Sequence, residues 1–250
     1  MKPVVKEEKQ YAIIAGSGLQ ELAAESAAQK VTTEFGDPSS PVRELIYGDR
    51  SVLFLGRHGD DFLIPPHKIN YRANVKALQQ LGVDCIIGMN TVGVITADAH
   101  PGEIALPDQL TDYTHDREHS IYDGTNAIVN VEFTEPFSGT LRKALLAAAA
   151  IAKVAVHDGG VYAVTQGPRL ETAAEVDRLE RDGADFVGMT LMPEASLAME
   201  LGMEYASLSL IVNYAAGRSE NAIHAEVDAS TMAAKSKAVA VLAALFDADA

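Results

Sequence analysis

Cysteine is nearly absent from this chain, which has one, Cys85, among 250 residues. One thiol excludes an internal disulfide framework and a zinc site built from several cysteines. Cys85 stands in the segment Asp84-Cys85-Ile86-Ile87, which predicts a buried strand with the thiol as a small core side chain. A cysteine nucleophile is therefore not expected.

Positive charge is also scarce. Lysine and arginine together number 20 against 35 aspartates and glutamates, which gives a formal net charge of −15. A negative field of this size disfavours binding to nucleic acid or to an anionic membrane. An anionic substrate would consequently need a pocket that is locally positive.

Long hydrophobic runs are missing. The run at residues 144–152 is far shorter than the roughly 20 residues of a membrane-spanning helix, and the early run at 11–15 is too short for the core of a signal peptide. We therefore expect a cytoplasmic protein that does not bind a membrane.

Two common kinds of catalytic site lack their motifs. His115 and His119 stand four residues apart but not in the H-E-x-x-H order of a zinc site, so no metal is expected. The G-x-S-x-G motif of many serine hydrolases does not occur either.

Short apolar runs alternate with helical patterns, which predicts one α/β domain over residues 1–250, with 1–10 as a candidate flexible tail. We expect a central mixed β-sheet flanked by helices. The predicted strands are 11–15, 51–55, 84–89, 103–106, 160–164, 185–188 and 205–212. The predicted helices are 70–81, 140–153, 173–181, 194–201 and 229–246. The polar, weakly periodic segment 111–136 is either a binding or interface loop or an ordinary surface excursion.

Polar side chains follow four of the predicted strands. These are Gly16-Ser17-Gly18, Arg57-His58-Gly59, Asn90-Thr91 and Met189-Thr190. Ligands of α/β folds gather at the carboxyl ends of strands, and arginine, hydroxyl and backbone N–H groups suit a phosphate. Each motif alone also fits a tight turn or a solvated side chain, but together they favour one polyanion pocket.

Two further polar residues stand at similar positions. Glu171 precedes a predicted helix, where it could complement the helix dipole, and Asn213 closes a predicted strand, which it could simply cap. Either residue could instead face a ligand.

These motifs together resemble the trimeric family of purine nucleoside phosphorylases and methylthioadenosine phosphorylases, over about residues 11–217. The resemblance implies a nucleoside phosphorylase-like fold, a homotrimer, and phosphorolysis of a purine nucleoside in purine salvage. Inorganic phosphate would be a co-substrate, and no cofactor is implied. The blocks that carry it are Gly16-Ser17-Gly18, Arg57-His58-Gly59, Pro66 to Asn74, Gly167-Pro168-Arg169 and Gly188 to Glu194.

The resemblance also implies roles for single residues. Catalysis would depend on Asn213, Glu171 and His58. The phosphate would be bound by Ser17, Arg57, His58, Asn90, Thr91 and Thr190. The nucleoside would be bound by Leu170, Glu171, Met189, Asn213, Ala215, Ile223 and His224.

Two of these positions indicate the base. The methylthioadenosine enzymes place an aspartate where this chain has Asn213, whereas the 6-oxopurine enzymes place a glutamate and an asparagine at Glu171 and Asn213. The block 70–74 resembles the methylthio-nucleoside branch. The combination favours 5′-methylthioinosine, with methylthioadenosine and ordinary inosine or guanosine as alternatives.

The 5′ pocket and the type of reaction are less closely defined by the sequence. If His224 faces the 5′ pocket, inosine and guanosine become good substrates, whereas Ile223 there favours a methylthio group. A nucleosidase would use water in place of phosphate, and a non-catalytic protein would bind without turnover. Segment 111–136 is the candidate for closing a neighbouring subunit's site.

Overall fold

A computed structural model describes residues 9–16, 19, 23, 26–122, 124, 128–220 and 227–246. The strands are β1 (Tyr11–Ala15), β2 (Ala28–Gln29), β3 (Val42–Tyr47), β4 (Arg50–Gly56), β5 (Cys85–Val94), β6 (Ile104–Leu106), β7 (Gln109–Asp112), β8 (Val156–Asp158), β9 (Val161–Val164), β10 (Phe186–Gly188) and β11 (Glu204–Tyr214). The helices are α1 (Tyr71–Gln80), α2 (Gly139–Ile151), α3 (Ala173–Arg181), α4 (Leu191–Glu200) and α5 (Val227–Phe246).

The strands form one mixed sheet that divides at β5. One branch runs β2-β3-β4-β1-β5-β10-β9-β7, and β5 also pairs with β11, which leads to β6 and β8. Along one edge, β5 pairs in parallel with β1 up to Met89 and antiparallel with β10 from Gly93. Residues 90–92 pair with neither of these strands, so the sheet opens there. The predicted fold class, a single α/β domain around a mixed sheet, is confirmed.

Helices cover both faces of the sheet. Val75 and Leu78 of α1 share a buried cluster with Leu197 of α4. On the other face, Leu145 of α2 and Val241 of α5 share a second cluster with β1, β5 and β11. Burial of these apolar side chains from water is the main favourable contribution to the fold.

In the described part of the chain, α5 alone has the length and hydropathy of a membrane-crossing helix. It packs on the sheet and on α2 through Ala234, Ala238, Val241 and Leu242, all fully buried. These contacts make α5 a core helix of this domain, although its composition would also fit a span.

Several boundaries differ from the prediction. Residues 90–91 lie inside β5 rather than after a strand, and Asn213 lies inside β11, because both strands continue beside each other at the opening of the sheet. The short strands β2, β3, β7 and β8 were not predicted, since they are partly exposed and lack apolar runs.

Two further expectations need adjustment. Residues 1–10 were expected to form a flexible tail, of which 1–8 lie outside the described residues. The carbonyl of Gln10 accepts hydrogen bonds from the backbone N–H groups of Asp84 and Cys85, and Lys9 forms an ion pair with Glu204. Lys9 and Gln10 therefore belong to the folded domain. Segment 111–136 begins in β7 and has no helix or further strand among its described residues.

Candidate functional site

A cavity of about 380 Å³ lies where the sheet divides. Its lining comes from the residues after β1, β4 and β10, from the middle of β5 and from the end of β11. The walls therefore belong to the opening that residues 90–92 leave between β1 and β10. This is the position at which α/β sheets bind ligands.

Arg57 lies at the floor of the cavity and is fully buried. Its Nε and Nη2 donate to the two carboxylate oxygens of Glu194 at 2.7 and 2.8 Å, and further bonds go to the carbonyls of Met89 and Ile14. Burial by itself lowers the pKa of Arg57. The attraction of the Glu194 carboxylate and its hydrogen bonds to Arg57 outweigh this effect, so the pKa of Arg57 is raised. Four of its five N–H groups are thus used, which leaves one on Nη1 for a ligand.

Nη1 of Arg57 lies beside Gly16. A Cβ on Gly16 would lie 3.1 Å from Nη1 and 3.6 Å from Nε2 of His58. Glycine therefore keeps open the space in front of these two groups, as a ligand that approaches the backbone closely requires.

His58 is held by its own loop. Its Nδ1 lies 2.7 Å from the carbonyl oxygen of Ile64, so Nδ1 carries a proton and donates it. Burial lowers the pKa of His58, and the charge of Arg57 lowers it further against the effect of the Ile64 bond. The imidazole is then neutral, and its Nε2 is an acceptor on the Gly16 side of the cavity.

Asn90 is fixed inside the sheet. Its amide donates to Ser207 and to the carbonyl of Gly88, and its carbonyl accepts from Ser209. These contacts occupy the side chain, so a direct bond to phosphate would require exchanging one of them. The neighbouring Thr91 also lines the cavity.

Thr190 closes the same side of the cavity. It is buried and stands at the start of α4, where its hydroxyl makes no capping hydrogen bond. Thr190 lies beside the hydroxyl of Tyr162, and because it also lines the cavity, its hydroxyl can donate to an anion there.

The other side of the cavity has a carboxylate and an amide. Thr165 donates to one oxygen of Glu171 at 2.7 Å, and Asn213 donates one amide hydrogen to the carbonyl of Tyr214. Glu171 keeps a second oxygen, and Asn213 keeps a carbonyl and one N–H. Ala215 is buried. It lies close to Asn213, because a Cβ added to Gly93 would contact both residues.

A β-bulge orients Asn213. Ile211 pairs with Val92 and Asn213 pairs with Gly93, so Val212 is an extra residue in β11. Bulges redirect side chains beside binding sites, and here Val212 and Asn213 both line the cavity.

Met189 and Leu170 form apolar walls. Met189 packs against Gly167, whose φ is +61°. A Cβ added to Gly167 would lie only 2.4 Å from the Met189 sulfur, so a larger residue there would displace Met189. Leu170 is 41% exposed at the rim. The flat apolar faces of a sugar and a base suit such surfaces.

The structure thus brings most of the predicted site residues to one cavity. They are Arg57, His58, Asn90, Thr91, Leu170, Glu171, Met189, Thr190, Asn213 and Ala215. Ser17, Ile223 and His224 lie outside the described residues, so neither the Ser17 contact nor the choice between Ile223 and His224 is tested.

Sequence reasoning missed two kinds of residue. The rim loop with Phe62 and Leu63 carried no motif. The role of Glu194 could have been suspected, because it is the only charged residue in the run 189–198 and a fully buried carboxylate requires a cationic partner.

Comparisons with known proteins identify the family of the chain. A family model described as "Phosphorylase superfamily" matches residues 10–247. A probable S-methyl-5′-thioinosine phosphorylase of Pseudomonas syringae pv. tomato is 46% identical over 95% of this chain and 98% of that protein. A 6-oxopurine nucleoside phosphorylase of Pyrococcus furiosus is 43% identical over 86% of this chain and 84% of that protein.

Among solved structures, a methylthioadenosine phosphorylase from Schistosoma mansoni in complex with tubercidin superimposes with a TM-score of 0.89. The two are 30% identical, and the match covers 96% of this chain and 91% of that one. With a family model over nearly the whole chain and relatives above 40% identity, the resemblance is confirmed. The chain belongs to the phosphorylase superfamily and is an enzyme of its nucleoside phosphorylase group.

Proposed function

We propose that this enzyme cleaves 6-oxopurine nucleosides with phosphate and that S-methyl-5′-thioinosine is its preferred substrate. The products would be hypoxanthine and 5-methylthioribose 1-phosphate. The observation that carries the proposal is the presence of Glu171 and Asn213 in one cavity with Arg57, His58 and Thr190.

The reaction needs no protein nucleophile, because phosphate attacks C1′ itself. As the new C1′–O bond forms, the bond from C1′ to N9 breaks and its electron pair moves onto the purine. The free N–H of Arg57 and the hydroxyls of Thr190 and Thr91 would orient the phosphate, and Nε2 of His58 would accept its proton. Positioning and charge stabilisation then supply the catalysis.

The base would be recognised by matched hydrogen bonds. The carboxylate of Glu171 can accept from N1–H, which hypoxanthine and guanine have. The amide of Asn213 can donate to the 6-oxo group or, through its carbonyl, accept from a proton at N7, which stabilises the leaving base. Adenine would place its N1 acceptor against the Glu171 carboxylate, at a cost of about 1–3 kcal/mol.

The same contacts distinguish the competing substrates. The Schistosoma neighbour is named for methylthioadenosine, whereas the Pseudomonas and Pyrococcus relatives carry names of 6-oxopurine enzymes. The Glu171–Asn213 pair favours the latter. Ordinary inosine and guanosine stay the next candidates, since the residues expected at the 5′ position are Ile223 and His224.

We further propose a cytoplasmic homotrimer in which segment 111–136 lies beside a neighbouring subunit's site. The resemblance to the trimeric family supports this arrangement. We expect phosphate as the only co-substrate and no cofactor, metal, nucleic acid or membrane partner.

The test is base release from methylthioinosine, methylthioadenosine, inosine and guanosine, each with and without phosphate. We expect strictly phosphate-dependent release, fastest from methylthioinosine, with the 6-oxo substrate ahead of its 6-amino counterpart by about 5- to 150-fold. Release without phosphate would identify a nucleosidase. Methylthioadenosine ahead of methylthioinosine would overturn the role given to Asn213.

A further inference from the structure

Arg117 lies in the irregular segment 111–136 but points into its own subunit. Its guanidinium donates to the carbonyls of Met189 and Met192 at 2.9 and 2.5 Å, and to those of Thr165 and Gln166 at 3.3 and 2.9 Å. Nε reaches the side chain of Gln166 at 3.1 Å. One side chain therefore joins two separate parts of the backbone.

The two parts follow the neighbouring strands β9 and β10, which pair at Val164 and Gly188, and they lead to different lining residues of the cavity. Residues 189–192 form the turn that follows β10 together with the irregular start of α4, and Thr190 is the N-cap of that helix. Thr165 and Gln166 follow β9, and the hydroxyl of Thr165 holds Glu171. Met192 has non-helical φ and ψ, so the carbonyls of this turn lack regular partners and Arg117 supplies the donors instead.

Arg117 has no carboxylate within salt-bridge distance among the described residues. It is half-buried, rests against the ring of Tyr71, 5.4 Å from its centroid, and donates to the Tyr71 hydroxyl. Arginine stays protonated even when buried. A positive charge without an ion-pair partner therefore stands behind Met189 and Thr190, whereas the charge of Arg57 is balanced by Glu194.

We infer that Arg117 is a positioning residue that holds the Thr190 turn and the Thr165–Glu171 segment in a fixed relation, so that phosphate and base are bound in one geometry. The inference rests on the proposed function, because it assigns those two parts to phosphate and base. Arg117 itself lies outside the residues that line the cavity.

The test compares Arg117→Ala, Arg117→Lys and two reference variants by steady-state kinetics with the best nucleoside of the panel. We expect Arg117→Ala to raise the KM for phosphate and for nucleoside together and to lower kcat/KM by about a hundredfold, as small misplacements do. Arg117→Lys should recover little, since one ammonium group cannot span both pairs of carbonyls. Guanidinium chloride at millimolar concentration should restore part of the Arg117→Ala activity.

Thr165→Val removes the hydroxyl that donates to Glu171 at 2.7 Å and lies 3.3 Å from the carbonyl oxygen of Gly188, so it should raise the KM for nucleoside more than the KM for phosphate. Arg142→Ala is the matched structural control. Arg142 also donates to two carbonyls, those of Leu106 and Pro107, and pairs with Asp158, but it lies away from the cavity. It should lower Tm without altering either KM.

Wild-type kinetic constants in folded Arg117→Ala, or the same kinetic change in Arg142→Ala, would overturn the inference. Calorimetric binding of inorganic phosphate and of hypoxanthine to wild type and Arg117→Lys tests it without turnover. A wild-type enzyme that releases no base with phosphate would contradict the proposed function alone. Equal affinities in the two proteins would contradict the role of Arg117.

Discussion

At the scale of single residues, the buried pair of Arg57 and Glu194 sets the character of the phosphate side. Both side chains are fully buried, and Tyr205 donates a further hydrogen bond to Glu194. A buried ion pair contributes little compared with well-packed apolar side chains, but removing one partner leaves an uncompensated charge at a cost of about 3–5 kcal/mol. We therefore attribute the pair to function rather than to stability. Glu194 holds the Arg57 guanidinium in place, so that the one unused N–H on Nη1 is fixed beside Gly16.

Glu194→Gln tests this pair. The amide group of glutamine would face the Arg57 donors with its own N–H, so we expect Tm to fall by about 6–20 °C, from the cost of about 3–5 kcal/mol. Asp60→Asn is the control, because Asp60 binds Arg43 with the same two-oxygen geometry but is half-exposed. An exposed pair contributes about 1 kcal/mol or less. Equal shifts in the two variants would contradict the argument.

His58 makes stability depend on pH. Since burial lowers its pKa, the unfolded chain binds a proton at a higher pH than the folded chain. Stability is therefore complete above the ordinary histidine pKa of about 6.5 and falls as pH decreases through the folded value. We expect the Tm of wild type to drop more steeply between pH 7 and pH 5 than that of His58→Gln. Parallel curves would show that His58 does not contribute.

At the scale of elements, the sequence predicted the existence of the main strands and helices. It did not predict that β5 pairs with three strands, β1, β10 and β11. The prediction of α3 was correct at both ends, because Thr172 and Glu175 form a capping box that only local sequence determines. β5 and β11 extend past their apolar runs because each pairs with the other. Such pairing depends on residues distant in the chain, which a local pattern does not contain.

The same distinction applies to the site. The place of Arg57 and His58 in the site was predictable, because both follow an apolar run that marks a strand. The carboxyl ends of parallel strands meet at one edge of the sheet, where ligands bind. The bulge at Val212 and the contacts of Arg117 were not predictable. Both depend on the register and on backbone carbonyls left unpaired by the fold, and neither leaves a local motif.

At the scale of the whole molecule, the net charge of −15 opposes the approach of phosphate. The cavity offers little long-range compensation, because Arg57 is paired with Glu194 and His58 is neutral. Arg117 adds one positive charge near the site. The distant field is therefore repulsive to an anion, although the contacts inside the cavity are attractive.

Salt should relieve this repulsion. The screening length falls from about 30 Å at 0.01 M to about 8 Å at 0.15 M ionic strength, so we expect kcat/KM for phosphate to rise as sodium chloride is added over this range. The control is kcat/KM for the nucleoside, measured at saturating phosphate. It should stay constant, because the nucleoside carries no charge. Steady-state kinetics in both substrates check this. A fall in kcat/KM for phosphate would show instead that a local positive field guides the anion to the site, which the balanced Arg57–Glu194 pair argues against.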